Sequence, residues 1–235
     1  MAIERYEIAH VARGMCGPDI AIMRFERPSS FGFHAGQYIS LRLISRAGEE
    51  TKPFTISSAP HDPYVEITTR LSDSTFKRAL AMLSRGSTVT MMGPLGSLAL
   101  PEDPRKLVFL AGGVGITPVR SMLRDALRRD LGVGATVFFG NRDERCVPYR
   151  DELDRMDSLG VRVVHVLEEP SDQWTGERGL ITAETVRRYL DPEGQMFFAT
   201  GPPLMVAAMQ DVLDELGVPE NARVIERFGP PGRSA

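Results

Sequence analysis

Cysteine is nearly absent: the chain of 235 residues has only Cys16 and Cys146. Four thiolates are the usual set for an iron–sulfur cluster, so this chain cannot ligate one by thiolates alone. Nor is a disulfide framework implied, and this cysteine usage points to the cytoplasm. Histidine is equally thin. His10, His34, His61 and His165 are scattered without metal-ligand spacing, and no metal site is expected. No apolar run approaches membrane-spanning length and the first residues lack the apolar core of a signal peptide, so a soluble protein is expected. A positive charge excess is missing too. The formal net charge of −3 argues against an electrostatic grip on nucleic acid. Arg124, Arg128 and Arg129 do cluster, but their helical spacing reads as a solvated helix face, with docking of an acidic carrier protein as the alternative.

Glycine is where the chain becomes informative. In Leu110-Ala111-Gly112-Gly113-Val114-Gly115-Ile116-Thr117-Pro118 an apolar run meets a glycine cluster. Met122, Leu123, Ala126 and Leu127 then recur at helical spacing. That is a strand, a tight turn and a helix. Glycines let backbone approach a ligand closely, and a helix start offers unpaired N–H groups to an anion such as a nucleotide phosphate. A tight strand-to-helix turn alone explains glycine equally well, so other segments must decide.

Up to about residue 100 short alternating segments at 6–11, 20–25, 38–44, 65–70 and 88–92 read as strands separated by turn residues, the pattern of a small antiparallel barrel. One helix interrupts them at 74–84, with Phe76, Leu80 and Leu83 on one face and a stop at Gly86. After a linker at Pro101-Glu102-Asp103-Pro104 the rhythm changes. Strands at 107–111, 136–139, 161–167, 196–199 and 222–226 alternate with helices at 119–129, 150–158, 183–189 and 204–216. Such alternation predicts a doubly wound parallel sheet with ligands at the carboxyl ends of its strands. The expected fold class is therefore two-domain β plus α/β, divided as residues 1–102 and 103–235. The Gly229-Pro230-Pro231-Gly232 tail reads as irregular.

Three further segments accompany the glycine cluster: Lys52-Pro53-Phe54-Thr55-Ile56-Ser57-Ser58, Gly140-Asn141-Arg142 and Thr200-Gly201-Pro202-Pro203. In this order and spacing the four resemble the ferredoxin–NADP reductase superfamily of flavin-dependent reductases, over about residues 6–228. The resemblance implies an N-terminal antiparallel flavin-binding β-barrel and a doubly wound NAD(P)-binding domain. In the family's Arg-x-Tyr/Phe-Ser/Thr-x-x-Ser motif, Lys52 takes the arginine position, Phe54 the aromatic, Thr55 the hydroxyl beside the reactive flavin ring and Ser58 the last hydroxyl, with Pro53 between. Lysine neutralises phosphate as a point charge without the planar fork of arginine. Ser72, Ser74 and Thr75 fall where the family holds the flavin pyrophosphate, although Asp73 is itself an anion and a plain helix cap explains the same residues. Gly36-Gln37-Tyr38 resembles a family fold marker.

By the same resemblance Gly112, Gly113, Gly115 and Thr117 approach the diphosphate of NADH or NADPH, and Asn141 and Arg142 the adenosine ribose. Arg142 suits a 2′-phosphate whereas Asp143 and Glu144 repel one, which leans towards NADH. Thr200 replaces the family's cysteine beside the nicotinamide, with Gly201 and Pro202 following. Glu226-Arg227-Phe228 matches a terminal Glu-x-Phe in which the acid organises nicotinamide and flavin; Phe228 either covers the flavin or packs in the core. Thr55, Thr200 and Glu226 are the expected catalytic residues. The implied function is a reductase that takes a hydride from NAD(P)H onto FAD, rather than FMN, and passes electrons to a separate acceptor such as a ferredoxin or an oxygenase component. The alternatives are an NAD(P)H:flavin reductase that releases reduced flavin, and an electron-transfer subunit of a larger redox complex.

Overall fold

The structure is a computed structural model that describes residues 4–104 and 106–228; the Gly-Pro-Pro-Gly tail lies outside the described residues. The chain divides into two compact units, Met1–Leu100 with Arg120–Asp125, and Pro101–Val119 with Ala126–Ala235.

The first unit contains β1 (Glu4–Cys16), β2 (Ile20–Glu26), β3 (Tyr38–Ser45), β4 (Gly48–Thr55), β5 (Tyr64–Arg70), α1 (Thr75–Ala81) and β6 (Thr88–Leu95). The strands form one antiparallel sheet in the order β4-β3-β6-β1-β2-β5. Its two ends meet: Ile56, just past β4, bridges Ile67 of β5, and Ser57 N–H donates to the Glu66 carbonyl at 2.8 Å. The sheet thus curls into the expected barrel. Ile39, Leu41 and Leu43 of β3 alternate inward with Met23, Phe25, Val65, Ile67 and Met91, and α1 adds Phe76 and Leu80. Each such side chain stabilises the fold by about 1.5–3 kcal/mol when fully buried.

Three differences from expectation appear in this unit. β4 was not anticipated as a strand through its charged half, because Gly48-Glu49-Glu50-Thr51-Lys52 has no apolar alternation; its pairing with β3, from Ser45↔Gly48 to Tyr38↔Thr55, makes it one. α1 ends at Ala81 rather than running to residue 84, with Met82 as its cap, and Gly86 follows in a turn. Arg124 also departs from the solvated-face reading: within this unit its Nη2 donates to Asp62 Oδ1 at 3.0 Å, while Arg128 and Arg129 are exposed. Gln37 fixes two loops, accepting from His34 N–H at 2.8 Å and donating to the Gly96 carbonyl at 3.0 Å.

The second unit runs β7 (Leu107–Gly112), a 3-10 turn (Gly113–Gly115), α2 (Ile116–Arg128, its middle counted with the first unit), β8 (Ala135–Asn141), α3 (Arg150–Asp154), β9 (Val161–Leu167), β10 (Glu177–Arg178), α4 (Ala183–Tyr189), β11 (Met196–Gly201), α5 (Pro203–Glu215) and β12 (Arg223–Arg227). All six strands are parallel, in the order β10-β9-β8-β7-β11-β12. From β7 the chain winds outward to β10, then returns to add β11 on the other side. The reversal lies between β7 and β11, the crevice where open parallel sheets bind ligands. The helix expected at 150–158 stops at Asp154, and a separate 3-10 turn, Asp157–Leu159, leads into Gly160 at φ 87°. No helix among the described residues is long and apolar enough to cross a membrane. Neither cysteine is a free thiol, so the cysteine count no longer argues for a reducing compartment.

Candidate functional site

In the first unit, strand alternation puts Glu50, Lys52 and Phe54 on one face of β4 and Pro53 and Thr55 on the other. Lys52 and Pro53 are exposed and Thr55 is half-buried. The Phe54 ring, expected to pack on a cofactor, is instead held in the barrel: it stacks on Phe76 at 5.8 Å, and the Lys77 ammonium lies 4.6 Å from its centroid. Ser58 is also not at the surface. It is fully buried, its Oγ accepts from Glu66 N–H at 3.0 Å, and its carbonyl accepts from Ser121 Oγ at 2.6 Å.

The segment after Thr55 is braced by a polar group that the sequence reading missed. Glu66 is fully buried and accepts from Arg24 Nε at 2.7 Å, Arg120 Nη1 at 2.9 Å and Ser57 Oγ at 3.0 Å; Arg120 also donates to the Ser57 carbonyl at 2.6 Å. Two guanidiniums and a hydroxyl compensate the carboxylate for its lost water. A lone acid inside Val65-Glu66-Ile67 was the legible signal.

At the start of α1, Ser74 Oγ accepts from Lys77 N–H at 3.3 Å, the geometry of a helix cap. Thr75 Oγ1 donates to Glu50 at 2.8 Å, Ser72 Oγ to Ser74 Oγ at 3.4 Å, and Asp73 pairs with Arg78 at 3.3 Å. The hydroxyls of Ser45 and Thr75 hold the Glu50 carboxyl below its usual range. Ser74 is thus the cap of α1. Among the described residues neither Lys52 nor Lys77 forms an ion pair with a carboxylate, and burial together with Lys52 pushes the Lys77 ammonium down to about 8. Two neighbouring cations, neither in an ion pair with a carboxylate, fit an anionic flavin nucleotide.

In the second unit, the carboxyl ends of β7, β8 and β11 converge. Gly113 sits at φ 51°, a conformation that favours glycine. A Cβ on Gly115 would lie 2.3 Å from the Thr200 carbonyl oxygen, and one on Gly112 would lie 1.8 Å from Met205 Sδ. Packing of the β11 backbone therefore suffices to require glycine at 115, whereas at 112 the obstacle is the flexible end of the Met205 side chain. The hydroxyls expected at the nucleotide are likewise committed to the chain: Thr117 Oγ1 donates to the Val114 carbonyl and Thr200 Oγ1 to the Gly115 carbonyl, each at 2.9 Å. Met205 was missed, though Met205, Val206, Met209 and Leu213 recur at helical spacing.

Asn141 closes β8. It is 8% exposed, and its Nδ2 has no partner among the described residues. An orphaned buried donor at a strand's carboxyl end fits the acceptor-rich ribose and phosphates of a dinucleotide. Pro202 is the exposed cap residue of α5, with Pro203 at its first position. Gly201 accepts from Phe228 N–H at 2.9 Å, and the Phe228 ring is half-buried. Glu226 pairs in register with Thr200 across the β11–β12 ladder, and burial pushes its carboxyl up.

The loop after β8 is electrostatically self-contained. Arg142 donates to Glu169 at 3.0 Å, Arg145 Nε to Asp143 at 3.0 Å, and Ser171 Oγ to Glu144 at 2.7 Å. The Arg145 contact holds Asp143 below the usual carboxylate range and the Ser171 contact does so for Glu144. Neither Glu169 nor Arg145 entered the sequence balance between Arg142 and its two acidic neighbours.

Residues 5–105 match the family model of an FAD-binding domain, and residues 109–211 that of an oxidoreductase NAD-binding domain. A protein named ferredoxin–NADP reductase B from Sorangium cellulosum is 32% identical, over 96% of this chain and 98% of that protein. The chain belongs to the ferredoxin–NADP reductase superfamily. Within the superfamily it is also similar to NADH-cytochrome b5 reductase 1 of Aspergillus terreus, at 29% identity over 91% of this chain and 76% of that protein. A plasma membrane-associated coenzyme Q6 reductase of Saccharomyces cerevisiae is 31% identical over 84% of this chain and 67% of its own length. The fold is shared with a ferredoxin NADP+ reductase from Neisseria gonorrhoeae, at a TM-score of 0.82 and 21% identity over 95% of this chain and 98% of that one. As a superfamily member the chain is an NAD(P)H-dependent flavin oxidoreductase that uses FAD and transfers electrons.

Proposed function

We propose that this reductase takes a hydride from NADH, in preference to NADPH, onto FAD and delivers the electrons to a separate protein acceptor, a ferredoxin or the oxygenase component of a multi-protein system. Residues 1–102 form the flavin domain in this reading and residues 103–235 the nucleotide domain. When bound, FAD supplies a centre that receives a hydride pair and releases electrons singly or together. The chain's own residues bind and orient. Lys52 neutralises phosphate charge, the Thr55 hydroxyl faces the reacting ring, and the Gly112–Gly115 turn with the start of α2 receives the nucleotide diphosphate. Asn141 Nδ2 donates to the adenosine ribose, and the Glu226 carboxyl, raised by burial, helps organise the nicotinamide.

The observation that carries this reading is the orphaned Asn141 amide at a strand end within the matched NAD-binding segment. The preference for NADH is supported by Arg142, whose guanidinium is already engaged by Glu169. Two cysteines cannot hold a cluster by thiolates alone, which supports an acceptor outside this chain. Anaerobic addition of NADH or NADPH to the purified protein, followed by visible absorption, is the test. NADH should bleach the flavin band faster than NADPH, and a ferredoxin should restore it. A colourless protein that takes up neither FAD nor FMN overturns the reading.

One observation favours the flavin reductase alternative: the hydroxyls of Ser74 and Thr75 are committed to Lys77 and Glu50, which loosens the expected grip on a pyrophosphate. Gel filtration separates the two. Retained yellow colour supports a bound cofactor, and flavin eluting at small-molecule volume supports flavin as substrate.

A further inference from the structure

The arginine of the family's flavin motif is Lys52 here, and the compensation for that change lies elsewhere in the first unit. Lys77 is the third residue of α1, near the end of the helix where the backbone dipole disfavours a cation. Phe76 and Leu80 turn into the core, and Lys77 follows them half-buried rather than extending into water. Its ammonium donates to Thr69 Oγ1 on β5 and lies 4.6 Å from the Phe54 ring on β4. Glu50, two residues before Lys52 on the same face, is occupied by Ser45 Oγ at 2.5 Å and Thr75 Oγ1 at 2.8 Å, and Asp73 is occupied by Arg78. Glu50 carries the charge that attracts Lys52, while among the described residues Lys77 forms no ion pair with a carboxylate and has another cation, Lys52, as its charged neighbour. A half-buried ammonium without a carboxylate is costly unless an anion completes it.

We propose that Lys77, acting with Lys52, forms a two-cation subsite for the diphosphate of FAD, so that Lys77 is the residue by which this chain distinguishes the dinucleotide from phosphate-free flavin. The inference rests on the reading that this unit holds FAD. A compact ammonium reads phosphate as a point charge with three rotatable donors, and two of them match the two negative charges of a diphosphate. Phe54, between β4 and the ammonium, supplies the face that holds Lys77 in place until the stronger anion draws it away. The same subsite carries a pH signature. Burial, and next Lys52, hold the Lys77 ammonium down at about 8, so raising the pH through that value removes its charge. The groups facing it are Lys52 and the Phe54 ring on β4 and the neutral Thr69 on β5.

The test is direct titration of the full chain, stripped of flavin, with FAD and with riboflavin, followed by flavin fluorescence. Lys77→Met should weaken FAD binding by about ten- to a hundredfold, the loss of one charge-assisted contact, and leave riboflavin affinity unchanged. Lys77→Arg should retain most of the FAD affinity. In the parent, FAD affinity should fall as pH rises through about 8, and Lys77→Met should lack that fall. Unchanged FAD affinity in Lys77→Met, or equal losses for FAD and riboflavin, overturns the inference alone. A parent chain that binds neither flavin overturns this inference and the flavin reading together.

Discussion

Replacing Gly115 with alanine tests whether the glycine cluster is fixed by packing within the chain. The backbone at Gly115 has an ordinary φ, so alanine meets no conformational strain and only the added carbon matters. That Cβ would lie 2.3 Å from the Thr200 carbonyl oxygen and 2.7 Å from the Thr200 carbonyl carbon and Gly201 Cα. Carbon prefers neighbours at about 3.5 Å, so one backbone must retreat by about 1 Å. Thr200 is paired on both sides, with Ala111 of β7 and Glu226 of β12, and cannot retreat alone. Overpacking of this kind costs about 1–3 kcal/mol. The same shift stretches the 2.9 Å bond from Thr200 Oγ1 to the Gly115 carbonyl, worth about 0.5–1.5 kcal/mol. The expected destabilisation is therefore about 1.5–4.5 kcal/mol without any nucleotide present. Gly140→Ala is the control, because its Cβ would meet Ile181 Cδ1 at 3.5 Å, an ordinary contact. The chain's single tryptophan, Trp174, lies in the second unit, so its fluorescence during denaturant unfolding reports that unit. Equal midpoints for Gly115→Ala and Gly140→Ala would refute the argument. A stable Gly115→Ala chain that has lost only NADH affinity would restore ligand approach as the reason for the glycine.

Three further outcomes are expected. Thr55→Val should slow flavin reduction about three- to tenfold in stopped-flow absorbance while changing FAD affinity less, since shape is nearly kept and one hydroxyl contact is lost; equal rates remove Thr55 from the reaction. Glu169→Gln should release Arg142 and shift the ratio of kcat/KM values towards NADPH by about tenfold, and Arg142→Ala should cancel that shift; a parent preference for NADPH would count against the lean to NADH. Burial raises the Glu226 carboxyl in the folded chain, so its contribution to stability is full below the ordinary carboxylate value and lost as pH rises through the raised one. Glu226→Gln should therefore flatten the fall in Tm as pH rises above the ordinary carboxylate value of about 4, and an unchanged fall would show that Glu226 is not its source.

The sequence by itself determined the architecture, because local rules suffice for it. Alternation in β3, the helical recurrence of Met122, Leu123 and Ala126, and the change of rhythm after Pro104 each follow from which faces must be buried. It also determined the order of the glycine, Lys-Pro-Phe-Thr and Thr-Gly-Pro-Pro segments, which carried the family resemblance. What each side chain does was left to the tertiary structure. Ser58 and Thr200 look like available hydroxyls in one dimension, but Glu66 N–H and the Gly115 carbonyl, brought beside them by strand pairing, claim them. Arg142 reads as a free guanidinium until β9 carries the chain to Glu169, and only the fold brings Lys77 beside Phe54 of β4 and Thr69 of β5. Hydrophobic periodicity is a property of neighbours in sequence, whereas hydrogen-bond partners and counter-charges come from segments tens of residues away, so only the folded chain decides which polar groups remain available to a ligand.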